Sequence, residues 1–159
     1  MTPGVYHDPM RLMIVSVIAV FPFAAQTAGE KEVLAACQKV FDGMAANDST
    51  KILSAMTPEA RLYGVRDSGA PYAIPADQWA ARLASLKSAF IERFTKAPTV
   101  SIHEPIANVW GEYEFLRDGK FAHCGVDSFN LVKTAAGWRV AAVFDTEEST
   151  VPPRTKGPA

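Results

Sequence analysis

The stretch "KFAHCGVDSFNLVKTAAGWRV", Lys120 to Val140, decides how this chain folds. It reads as one long strand, a turn at "TAAG", and the start of a second strand rich in Trp and Val. Just before it lies "RDGK", Arg117 to Lys120, whose Asp-Gly suits a two-residue hairpin turn. The stretch is therefore predicted to be the centre of an antiparallel sheet. Strand side chains alternate, so His123, Gly125, Asp127, Phe129 and Leu131 share one face, and Ala122, Cys124, Val126, Ser128 and Asn130 share the other. His123 and Asp127 lie about 13 Å apart at the usual strand rise, too far for a direct His-Asp dyad, although both could act on one ligand between them. In that case His123 is an acid or base near neutral pH and Asp127 orients or polarises the ligand. The plainer alternative makes both satisfied polar groups bonded to backbone or water.

Working outward, "FIERF", "TVSIHE", "ANVWGEYEFL", "FAHCGVDSFNLVK" and "GWRVAAVFD" read as strands separated by turn signals, and "ARLYGV", Ala60 to Val65, as an earlier one. "RDSGAPYAIP" is predicted to be a loop. Three helices are expected. The first, Glu30 to about Ala46, places Val33, Cys37, Val40, Phe41 and Met44 on one face; "STKILSAM" is a short second; the third, from about Ala76 to Ser88, carries Trp79, Leu83 and Leu86 on one side. The pattern is α+β, with three N-terminal helices covering one face of a curved antiparallel sheet. Tyr113 shares a face with Val109, Gly111 and Phe115 and needs a partner for its hydroxyl. Trp110 sits among Asn108, Glu112 and Glu114, an aromatic on a polar outer face that suggests a dimer interface. Trp138, with Val140, Ala142 and Phe144, reads as sheet packing.

The 159 residues suffice for one domain, and 16 basic against 17 acidic side chains give a net charge of −1 with no long run of either sign. Nothing in that balance recommends nucleic acid or an anionic membrane as partner. Leu12 to Ala25, "LMIVSVIAVFPFAA", follows Arg11 and precedes small and polar residues, the pattern of a secretory signal peptide. It is shorter than the about 20 apolar residues of a membrane span. Residues 1–28 are accordingly expected to be a signal, with Met10 an alternative start, 29–148 an exported domain, and 149–159 a disordered tail. No Cys or His pair has metal-ligand spacing, and there is no Gly-rich phosphate loop and no serine elbow, so neither metal nor cofactor is expected.

"ANVWGEYEF" from Ala107, "DGKFAHCGVDSFNLVKTAAGWRV" from Asp118 and "AAND" at Ala45 to Asp48 resemble the nuclear transport factor 2-like superfamily, the cone fold of ketosteroid isomerase, scytalone dehydratase and SnoaL-like cyclases. The resemblance is nearest to its exported "putative lumazine-binding" subgroup. It implies a ligand pocket between the first and third helices and the concave sheet face, and a homodimer through the outer sheet. "VDSFNL" is similar to the segment around the oxyanion-hole aspartate of ketosteroid isomerase, which implies that Asp127, His123 and Phe129 face the cavity and Cys124 faces out. Cys37, on the buried helix face, would then lie across the sheet from Cys124, which argues against a disulfide and against a nucleophilic thiol. Val40 and Gly64 stand where that enzyme has its tyrosine and its general-base aspartate, so steroid isomerase chemistry is not expected. The expectation is a cofactor-free domain that binds a small apolar or aromatic molecule, with Trp79, Tyr113 and Phe129 lining the cone. One alternative is an isomerase, dehydratase or cyclase using His123 and Asp127; the other is a dimeric accessory domain with a filled cone.

Overall fold

The computed structural model describes residues 26–149; the expected signal run and all but the first residue of the expected tail lie outside them. Helix α1, Ala28–Ala45, begins two residues before the sequence suggests, because Thr27 caps it. Thr27 Oγ1 accepts from Glu30 N at 3.2 Å while Thr27 N donates to the Glu30 carboxylate at 2.7 Å, a reciprocal capping box. Its buried face is the predicted one, Val33, Cys37, Val40, Phe41 and Met44. Asn47, with a left-handed φ of 51°, ends the turn and Asp48 caps α2, Ser49–Ser54. The chain then enters β1, Met56–Val65, which starts earlier than Ala60.

Part of the predicted loop is a strand: β2, Pro71–Pro75, pairs antiparallel with β1 from Pro75 opposite Arg61 to Pro71 opposite Val65. Prolines at both of its ends disguise it in the sequence, yet an edge strand tolerates them. Helix α3, Ala76–Ser85, follows directly, then β3, Phe90–Phe94, β4, Thr99–His103, β5, Ile106–Arg117, β6, Lys120–Thr134, and β7, Gly137–Thr146. The hairpin between β5 and β6 turns at Asp118 (φ 52°) and Gly119 (φ 74°), the two left-handed residues that a tight two-residue turn requires.

The sheet order is β2-β1-β7-β6-β5-β3, with β4 also pairing β5. Every pairing is antiparallel except β1 with β7, which is parallel and closes the N-terminal strand onto the C-terminal one. The core fills the concave side: Phe41 of α1 meets Phe94 and Phe129 edge-on at 5.3 and 5.6 Å. Cys37 and Cys124 are both buried and do not form a disulfide with each other. Among the described residues no helix is long and apolar enough to cross a membrane.

Two irregularities set which side chains reach the concave side. Between β5 and β6, Phe115 pairs His123 but Leu116 pairs Phe121, so Ala122 is extra and the strand bends there. Between β6 and β7, Leu131 pairs Val140 and Asn130 pairs Ala142, so Ala141 is extra. The inward phase of β7 therefore switches from Trp138 and Val140 to Val143 and Asp145. Phe144, predicted to pack with Trp138, instead faces out, 49% exposed and stacked on Tyr63 at 4.8 Å.

Gly125 lies where β6 passes under the end of β7, and a Cβ there would run into the backbone carbonyl of Thr146. Gly125→Ala is expected to lower unfolding free energy by about 3 kcal/mol, the upper range for overpacking against a backbone that cannot yield, as read by urea denaturation. Equal midpoints for variant and wild type would contradict this packing.

Candidate functional site

The helices and the concave sheet face enclose a cavity of about 640 Å³, so the cone is open and the filled-cone expectation is not met. Its walls come from α3 (Trp79, Leu83), β2 (Tyr72, Ile74), β3 (Phe90, Glu92), β5 (Tyr113, Phe115), β6 (His123, Asp127) and β7 (Val143, Asp145). Of the expected ligand-contacting residues, Trp79, Tyr113, His123 and Asp127 line it. Phe129 does not: it shares the inward face of β6 but lies deeper, 1% exposed, packed against Phe41 and Phe94 in the core.

Asp127 is 2% exposed, and its Oδ2 meets no N–H or hydroxyl donor. It faces Gly111 on β5 and Asp145 on β7. The group within hydrogen-bonding reach is the carboxyl of Glu92, which burial and the neighbouring Asp145 charge raise to about 8 against the opposing effect of its bond to Asp127. Burial first, then Glu92 and Asp145, hold Asp127 well above the ordinary carboxylate range. Two carboxyls can bond only if at least one carries a proton, and burial with the neighbouring carboxyl charges favours the protonated form of both. This is a polar floor on which charge is disfavoured, able to donate to a carbonyl or accept from an N–H.

Around the floor the remaining polar groups are already engaged. The Tyr72 hydroxyl donates to both oxygens of Asp145, at 2.7 and 2.8 Å, and Gly64 opposite leaves the room this needs, since a Cβ there would collide with both side chains. Burial raises the Asp145 carboxyl, an effect the Tyr72 bond opposes. Tyr113, 2% exposed, donates to the Thr146 carbonyl at 2.9 Å, which answers its need for a partner with backbone rather than ligand. His123 is half-buried, stacked on Phe115 at 4.6 Å and edge-on to Tyr113 at 5.8 Å. Burial lowers its pKa against the pull of Glu147, which favours the neutral imidazole. His123 and Asp127 sit in the same cavity without touching, as their spacing requires. Cys37 beneath the floor is pushed up to about 12 by burial and by Asp127, so its thiol is inert.

Glu92, Tyr72 and Asp145 were not among the residues singled out from sequence. Glu92 was findable: in "FIERF" it alternates in phase with Phe90 and Phe94, one acid between two core phenylalanines. Asp145 was not, because the extra residue Ala141 reverses the phase on which it depends.

Carboxyls whose folded pKa is raised stabilise the fold below their unfolded pKa and lose that contribution as pH rises through the folded one. Wild type should therefore lose stability between about pH 5 and about pH 8, and Glu92→Gln, which cannot titrate, should flatten that fall by at least roughly 1 kcal/mol, the worth of one pKa unit. Urea midpoints at both pH values check it; parallel falls in the two proteins would mean the pair is not protonated.

Residues 28–145 match the family described as "Putative lumazine-binding". No curated protein matches the chain in sequence. Among solved structures, a nuclear transport factor 2-like protein of unknown function from Shewanella baltica is similar with TM-score 0.60 and 15% identity over 79% of this chain and 100% of its own. A nuclear transport factor 2-like superfamily protein from Salmonella enterica gives TM-score 0.61 and 15% identity over 80% and 96%. A protein from Streptomyces avermitilis described as a "putative dehydratase" of the same superfamily gives TM-score 0.62 and 15% identity over 74% and 94%. At such identities these likenesses speak for the fold alone, which is nuclear transport factor 2-like, and the family match places the chain: it belongs to the "Putative lumazine-binding" family.

Proposed function

We propose that this protein is an exported domain that binds a small, largely aromatic molecule in its cone, with no metal or cofactor of its own. The observation that carries the reading is the Asp127–Glu92 carboxyl pair, unmatched by any cation and set in a cavity whose apolar walls are Trp79, Phe90, Phe115 and Val143. A buried polar group without a full set of partners is costly, and a ligand that supplies the missing bond recovers that cost. About 640 Å³ lies within the usual range for small-molecule sites. The presence of two ionisable groups, Glu92 and His123, in one cavity favours as second reading a cofactor-free isomerase, dehydratase or cyclase. Chemistry would require His123 and follow a pH profile, whereas binding alone would survive His123→Ala.

Export rests on the leader pattern of residues 1–28. The homodimer proposal rests on the outer sheet face, where Trp110 is 55% exposed beside exposed Val65 and Phe144. Trp110→Arg is expected to convert a dimer to monomer in sedimentation; an unchanged species would remove that face from the interface.

Native mass spectrometry of protein purified from the exported fraction, followed by denaturation, tests ligand binding. A stoichiometric small molecule absent from Asp127→Leu is the expected result. The same molecule retained in that variant would overturn the pocket reading.

A further inference from the structure

Some outer-surface cations find acids: Arg93 with Glu114 at 2.6 Å, Lys96 with Glu112 at 2.8 Å, Lys133 with Glu104 at 2.5 Å. The arginines at the cavity mouth do not. Arg82 of α3 and Arg117 at the end of β5 both line the cavity, both are exposed, and neither has an ion pair among the described residues. Arg117 is nonetheless held in place: its Nε donates to Ser88 Oγ at 3.2 Å, and its guanidinium lies 5.9 Å from the centre of the Phe90 ring. Ser88 is itself fixed, buried and accepting at its carbonyl from Asn47 Nδ2 at 2.8 Å. Because Ser88 follows the helix that carries Arg82, this bond ties the two arginine-bearing elements together.

Most acids of the cavity are committed elsewhere. Glu92 and Asp127 bond to each other at the floor, and Asp145 is held by Tyr72. Arg66, the third cavity arginine, stacks over Tyr72 on the wall that carries Asp145, and Glu147 also lines the cavity, where its charge acts on His123. Asp118, next to Arg117 in sequence, accepts from Ala89 N at 2.9 Å. Neither Arg82 nor Arg117 is ion-paired with any of these acids.

We infer that Arg82 and Arg117 form an anion subsite at the mouth, and that the ligand is an aromatic molecule carrying one acidic group, a carboxylate, sulfonate or phosphate, outward and an uncharged hydrogen-bonding end inward. The inference rests on the small-molecule reading and names the class of molecule that reading admits. Guanidinium presents the planar pair of donors that such acids accept. The orientation follows from solvation: a charge is tolerated at the exposed mouth and excluded from the dry floor.

Two fluorescent probes with one aromatic scaffold test this: anilinonaphthalene sulfonate, which is anionic, and phenylnaphthylamine, which lacks the sulfonate. The anionic probe is expected to bind at least about tenfold tighter than the neutral one, and Arg82→Gln with Arg117→Gln to abolish that advantage while leaving the neutral probe unchanged. Arg82→Lys with Arg117→Lys should keep part of it. Equal affinity for both probes, indifferent to the arginines, would overturn the anion subsite and leave the pocket standing. Failure of both probes to bind wild type would overturn the pocket reading and the subsite with it.

Discussion

The rest of the site depends on one contact, a carboxyl against a carboxyl in the concave face of the sheet. Asp127 is taken out of water by α1 above and by its neighbours on β5 and β7, and no backbone amide or hydroxyl reaches its Oδ2. An ionised aspartate there would be prohibitively costly. Glu92 eases the difficulty by bonding to it through a proton, and the raised pKa of both carboxyls disfavours charge at the base of the cone. The glycines around it follow from the same crowding. Gly111 faces Asp127, and a Cβ on it would press into Phe94 and Pro98; Gly125 gives way to Thr146 and Gly64 to the Tyr72–Asp145 bond.

What the sequence revealed was whatever depends on short periodicity. The buried face of α1 repeats every three and four residues, and "RDGK" specifies its own turn, so both appear in the structure where they were expected. Asp127 was placed inward by a resemblance, and the uninterrupted alternation from His123 to Leu131 carried that placement through. What remained hidden depends on contacts far apart in sequence. β2 looks like a loop until β1 pairs with it, and the parallel union of β1 with β7 joins two ends of the domain that share no local signal.

A single extra residue had the largest consequence. Alternation reads correctly only while a strand stays in register, and a bulge reverses every side chain beyond it. Ala141 carries no mark that distinguishes it from its neighbours, yet it sends Phe144 to the outer face and turns Val143 and Asp145 into the cavity. Without it the floor would lack its third carboxyl and Tyr72 its acceptor.

The cavity that results is graded rather than uniformly polar. Its deep end disfavours charge because it is buried, its middle is aromatic, and cations stand where water can reach them, at Arg66, Arg82 and Arg117. A molecule that matched only the aromatic middle would leave the Asp127–Glu92 pair unsatisfied, and a fully charged one could not reach it. Any occupant that satisfies the whole cavity therefore has two unlike ends. The fold fixes which end enters, because the pair lies on the sheet's inner face while the arginines stand at the ends of the elements that frame the opening.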